Sequence, residues 1–342
     1  MELNELIIEL CGESGPSGFE DNARSKIISQ LNPFVDEIKT DIMGNIIAVK
    51  RCGKENARSI MLDAHMDEIG LIVTGHKDGY LRVSAIGGVD QRMLPAREVK
   101  ILTEPPIYGV IDVLPPHALS DDEMDKALPI DKMYIDIGMT QEEAEKAVPL
   151  ATPIVYDGGA QMLGENMICG KALDDRACTA IIIKTMEKLK SAALDVDVYC
   201  LISTQEEVGL RGAGVAAYGV QPDYCIVLDV THGATPDASK EKTLKVGGGS
   251  AIGVGPQLTR NLTNALIGYA KQKELPYQLE VLSGGTGTNS GAIQLSREGI
   301  ATALISLPLK YMHTPIETIK VSDAENIVEL LAGFIAMTGE VG

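Results

Sequence analysis

Helix and strand alternate through the first 65 residues, give way between about Gly70 and Asp157 to short strands and Gly/Pro turns, and return after about Gly164. That interruption constrains the fold more than any single motif does. Two flanks of one texture around a middle of another are most economically one α/β domain carrying an inserted β unit. The flanks supply helices near 3–11 and 20–31, the hairpin-like DIMGNIIAVKRC and the strand SIMLDAH. Beyond the middle come LDDRACTAIIIKTMEKL as a helix, VDVYCLIS and DYCIVLDV as strands, NLTNALIGYAKQKEL as a helix, TALISLP as a strand and a last helix from about Ser322. The middle supplies a hairpin turning at Lys77–Gly79, the strands EVKILTE, YGVIDVL and MYIDIG, and one helix begun by the capping box at Thr140. Such a run of short strands suggests a small β-barrel or sandwich. The expected division is a discontinuous α/β domain over 1–68 and 163–342, interrupted by a β-rich unit over 69–162.

Composition narrows the partners. With 45% hydrophobic and 23% charged residues, the 342-residue chain is globular, and with three Phe and no Trp its core rests on aliphatic side chains. A formal net charge of −18 repels phosphate backbones and anionic lipid, so nucleic acid is not an expected partner. No apolar run approaches the roughly 20 residues that cross a bilayer, so no membrane partner is expected either. MELNELIIELCGESG lacks a basic leader and reads as an amphipathic helix. The six cysteines form no C-x-x-C pair, and Cys200 and Cys225 lie inside apolar runs. A reducing, cytoplasmic setting is expected, with disulfides left open by spacing alone.

Charged residues stand at the ends of the α/β strands. His65 closes SIMLDAH with Asp67 two residues on, and Glu206 and Glu207 follow VDVYCLIS. Asp229 closes DYCIVLD, His313 follows ALISLPLKYM, and Asp174 and Asp175 open a helix. Each has an ordinary explanation: a rim histidine, a solvated turn, or acids favoured by a helix dipole. Together they mark one rim, because ligands of open α/β sheets bind beyond the carboxyl ends of the strands. Two His, two Asp and one Glu make a sensible N/O donor set for a pair of divalent ions such as zinc, cobalt or manganese, one carboxylate being shared.

The segments AHMDEIG, GKALDDR, STQEEVGLRGA, VLDVTHG, GGTGTNSGAI and YMHTPIE, with SGPSGFE near the start, resemble in order the motifs of the M42 metallo-aminopeptidases. That family takes in tetrahedral, deblocking and glutamyl aminopeptidases and homologues called endoglucanase M. The resemblance spans essentially the whole chain. It implies a mixed-sheet α/β/α di-zinc exopeptidase-like domain carrying the inserted barrel, and two divalent ions, Zn2+ or Co2+, in each subunit. It further implies that His65 and Asp229 hold one ion, Glu207 and His313 the other, and Asp174 both. Glu206 would be the general base and Asp67 would orient His65, with a cis peptide between Asp174 and Asp175. The two adjacent glutamates would then have different tasks, one giving its charge to a metal and the other taking a proton. Peptides with a free N-terminus become the expected substrates. The insertion becomes a dimerisation unit, in assemblies from dimer to dodecamer. Asn289 departs from the pattern, since several relatives carry Asp there.

Two other classes remain open. Paired carboxylates also serve glycoside hydrolases, although few aromatics and two rim histidines speak against a sugar cleft. A non-catalytic metal-binding scaffold is the other, but Asp67 and Glu206 are both retained. Arg211 beside the two glutamates would either attract an acidic side chain or pair locally.

Overall fold

The structure, a computed structural model, describes residues 1–118, 120 and 126–337. Eleven strands form one mixed sheet. Its main path runs Glu37–Thr40, Ile46–Lys50, Asp197–Ser203, Ser59–His65, Tyr224–His232, Ala301–Lys310, Glu317–Lys320, Met167–Gly170 and Ala160–Leu163. Ser250–Val254 branches from Ala301–Lys310 and carries Tyr277–Val281.

The four central strands are parallel to one another, so their carboxyl ends share one rim. The register pairs Ser203 with His65, Val227 with Asp63 and Asp229 with Ser306. Asp229 therefore stands level with His65 on the neighbouring strand.

Alternation of side chains sorts the core into two layers. Ile60, Leu62, Ile226 and Leu228 pack under the helices Leu3–Gly12, Leu173–Leu189 and Val321–Met337. Met61, Cys225 and Val227 face the opposite way, toward Ala213, Ala216 and Ala217 of the helix Arg211–Val220. That helix, RGAGVAAYGV, escaped the sequence reading, because its three glycines lower intrinsic helix propensity while tertiary packing holds it. All six cysteines are free, Cys200 and Cys225 fully buried. Among the described residues no helix is long and apolar enough to cross a membrane.

The middle of the chain closes into a six-stranded barrel in the order Gly70–Lys77, Tyr80–Ile86, Tyr134–Asp136, Ile107–Ile111, Glu98–Ile101 and Pro153–Tyr156. Every second residue of its strands fills the interior, as Leu71 and Val73, Leu81 and Val83, and Val99 and Ile101 show. Closure leaves no unpaired strand edge within the barrel. The sequence-expected hairpin and the helix Gln141–Ala147, capped by Thr140, are both present. The strand Ala160–Leu163, three of whose four residues fall in the stretch 69–162, already pairs with the large sheet.

Candidate metal centre

His65 ends its strand with its side chain almost wholly buried. Its Nδ1 lies 3.0 Å from the carbonyl oxygen of Asp67, and its Nε2 lies 3.1 Å from Oδ1 of Asp174. His313 repeats the arrangement from the far end of the chain. Its Nδ1 is 3.0 Å from the carbonyl of Gly88, and its Nε2 is 3.3 Å from Oδ2 of Asp174 and 3.3 Å from Oε1 of Glu207. A carbonyl only accepts, so both Nδ1 atoms must donate and both Nε2 atoms face carboxylates. One Asp174 carboxylate thus presents one oxygen to each imidazole.

Asp174 and Asp175 precede the regular part of their helix, with non-helical backbone at both and a cis peptide between them. The Asp175 side chain turns toward the strand that ends in His65. Its Oδ2 accepts the His65 amide at 3.2 Å, while its buried Oδ1 has no partner. Asp229 is buried, with Oδ1 accepting its own following amide, Val230 N–H, at 2.7 Å.

Past Ser203 the chain leaves the sheet, turning through Gln205 at φ 56°, and both following glutamates line the cleft. Asp67 holds this turn. Its Oδ1 accepts the Glu206 amide at 3.0 Å, and its Oδ2 accepts the Glu207 amide at 3.2 Å and the Ser17 hydroxyl at 2.6 Å. The same carboxylate lies 3.4 Å from His65 Nδ1.

These groups fall into three compact donor sets, each with ligand atoms within 4.8 Å of one another: His65 with Glu206 and Glu207, His65 with Asp175 and Asp229, and Asp174 with Glu207 and His313. Their charges are strongly unbalanced. Burial, reinforced by Asp175, pushes Asp229 well above the carboxylate range. Burial likewise raises Asp175. Glu206 is pushed up to about 7 by burial and by the Glu207, Asp174 and Asp67 carboxylates, against the pull of His65. On the imidazoles burial acts downward but loses. Asp174 and Asp67 hold His65 well above its ordinary value, and Asp174 and Glu207 raise His313 to about 11.

Without a proton on Nε2, each histidine would point a lone pair at the Asp174 carboxylate. A divalent cation at that position removes the conflict and neutralises the surrounding acids. The orphaned Asp175 oxygen and the two Nδ1-anchored imidazoles therefore fit metal.

All seven side chains singled out in the sequence (His65, Asp67, Asp174, Glu206, Glu207, Asp229 and His313) meet at this one rim. Six of them line a cleft of about 540 Å³, and Asp67 lies buried just behind it. Arg211 does not line the cleft; it is exposed at the start of its helix.

Sequence reasoning missed two supports. Glu317, almost wholly buried, accepts the His313 amide at 2.9 Å and the Asp174 amide at 3.1 Å, and so ties two distant segments together. Its place inside YMHTPIE was the available signal. Gly88 comes from the end of the barrel hairpin, where a Cβ would stand 2.7 Å from His313 Nδ1. Only glycine permits that approach.

Asn289 lies beneath the rim, donating to Asp63 Oδ2 at 3.0 Å and Ser203 Oγ at 2.8 Å. Burial raises Asp63 to about 7, against the pull of Asn289 and Ser203. The amide thus links two central strands just below the rim.

The fold is that of an α/β hydrolytic scaffold with an inserted barrel, and comparison with known proteins gives it a family. The family model described as M42 glutamyl aminopeptidase matches residues 44–330. A putative aminopeptidase of Acetivibrio thermocellus is 40% identical, covering 96% of this chain and 97% of its own. The lysyl aminopeptidase of Pyrococcus furiosus is 36% identical over 95% of this chain and 94% of its own. The TET1 peptidase of Pyrococcus horikoshii, described as assembling into a tetrahedron or a large octahedral shell, superposes with a TM-score of 0.85. It is 31% identical, covering 98% of this chain and 99% of its own. The chain belongs to the M42 family of aminopeptidases.

Proposed function

We propose that the protein is a dinuclear metallo-aminopeptidase that removes the N-terminal residue from peptides. In this reading His65 and Asp229 hold one divalent ion, Glu207 and His313 hold the other, and Asp174 is shared. The observation that carries it is the Asp174 carboxylate, one oxygen facing each of two imidazoles anchored through Nδ1. Two such cations, as Zn2+ or Co2+, would acidify an attacking water and polarise the scissile carbonyl.

The remaining work belongs to the chain. Glu206, which is given to no ion in this reading and lines the cleft beside the ligands, is placed both to take a proton from water and to return it to the leaving amine. Asp67 fixes the Glu206 backbone, so the base is aimed by a buried carboxylate and not by solvent-exposed turn chemistry. A free α-amino group offers a lone pair that the bound ions would accept, and an internal peptide bond offers none, which would account for exopeptidase action.

Residues 69–162 would form a dimerisation unit inserted in a catalytic domain of 1–68 and 163–342. Assembly of several copies is supported by the exposed barrel side chains Tyr108, Val113 and Leu114, each more than half exposed, and by the shells of the Pyrococcus horikoshii relative. Free cysteines agree with a reducing, cytoplasmic setting.

The test of the base is Glu206→Gln. The variant should hold as much zinc or cobalt as the parent yet lose turnover by about 10²–10⁴-fold. Parental turnover in a metal-loaded variant would remove Glu206 from the role.

A further inference from the structure

Membership of the family leaves the preferred N-terminal residue open, since its model is described as glutamyl and one close relative as lysyl. The cleft itself is more specific. Beyond the metal cluster it is lined by Leu210, Leu282 and Met312, by hydroxyl and glycine positions of the 286–288 turn, and by one carboxylate, Glu280. No lysine or arginine lines it among the described residues, and His232 is the other titratable side chain in this part.

Glu280 lies on Tyr277–Val281, the outermost strand of its branch. Leu279 and Val281 point away and are exposed, so alternation turns Glu280 toward the cleft. Its carboxylate is fixed there. Oε2 accepts the Ser306 hydroxyl at 2.6 Å, and Oε1 accepts the Thr231 hydroxyl. Both donors locate it relative to the metal cluster. Ser306 is the register partner of Asp229, and Thr231 is two residues beyond Asp229 on the same strand and face. A carboxylate is thus held in the same cleft as the metal cluster, bonded to Ser306 directly across from Asp229 and to Thr231 beyond it, where the side chain of a bound N-terminal residue can meet it. Leu282 and Met312 in the cleft lining are apolar and suit the methylenes of a long basic side chain.

We infer that Glu280 makes this cleft selective for peptides beginning with lysine or arginine, and that it discriminates against acidic N-termini. The inference rests on the aminopeptidase reading. An acidic side chain would meet Glu280 with no lysine or arginine beside it among the described cleft residues, whereas an ammonium or guanidinium would pair with it.

The test is a panel of lysyl-, arginyl-, leucyl- and glutamyl-p-nitroanilides, with metal-loaded protein, its Glu280→Gln variant and its Glu280→Ala variant. The parent should favour lysyl over glutamyl substrate by about a hundredfold in kcat/KM, chiefly through KM. Either substitution should lower the lysyl-to-leucyl ratio by about tenfold, and added salt should shrink that ratio more in the parent than in the variants. A parent that prefers glutamyl substrate, or an unchanged lysyl-to-leucyl ratio in both variants, overturns the inference and leaves the peptidase reading standing. Failure of the parent on all four substrates overturns the peptidase reading and the inference with it.

Discussion

Two histidines 248 positions apart are tied by the same device, a backbone carbonyl on Nδ1. The device fixes which nitrogen is left for a ligand, and it makes ion binding a competition with protons. His65 and His313 both have pKa values raised above the ordinary value, His313 to about 11, by the carboxylates that would share a cation with them. At neutral pH the metal-free protein therefore carries protons on both rings. Binding must release them, so affinity for zinc should rise with pH throughout the range below the raised values. Calorimetry in buffers of different ionisation enthalpy should show protons released on ion binding, from both rings and from the Asp229 carboxyl that burial holds up. Affinity that is flat or falling between pH 6 and pH 8 (the interval to be titrated, about neutrality) would mean that these rings are not the ligands.

The segment from His65 to Gly70 joins sheet to barrel and supplies the site from both sides. Next to Asp67, Glu68 is buried and bonded to Lys171 Nζ at 2.9 Å, to Arg176 Nη2 at 3.1 Å and to the Gly15 amide at 3.0 Å. Burial alone would raise Glu68, but Lys171 and Arg176 hold it below the usual carboxylate range. A depressed folded pKa means that its contribution is present above the unfolded value and is lost as pH falls through the folded one. Glu68→Gln leaves two buried cations short of a partner and should cost about 3–5 kcal/mol. Denaturant unfolding measures this, with the gap between parent and variant narrowing in acid. An unchanged midpoint at neutral pH would show that the network does not brace this junction.

Elements of this kind also show where sequence was informative. His65, Asp229 and the glutamates after Ser203 were legible because strand ends and buried runs are local patterns. Glu317 and Gly88 were not, because their importance lies in reaching His313 and Asp174 across the fold. Tyr277–Val281 was missed for a related reason: YQLEV is half-exposed on a sheet edge, so burial does not mark it as a strand.

At the scale of the whole molecule, the barrel is not a passive appendage. Its hairpin ends in Gly87–Gly88, and Gly88 completes the hydrogen bonding of His313, while the strand ends of the large sheet and the segments that follow them carry most of the cluster's side chains. The interrupted α/β pattern, visible in the sequence as a change of texture, thus brings one imidazole of the candidate site into contact with the barrel. The central claim is that this joint site cleaves N-terminal residues with the help of bound cations. The most direct measurement is release of p-nitroaniline from unblocked and N-acetylated aminoacyl substrates, with protein treated with chelator and then resupplied with zinc or cobalt. Release confined to unblocked substrates, abolished by the chelator and restored by the ions, is the predicted result. Equal cleavage of acetylated substrates, or full activity after verified removal of metal, would contradict it.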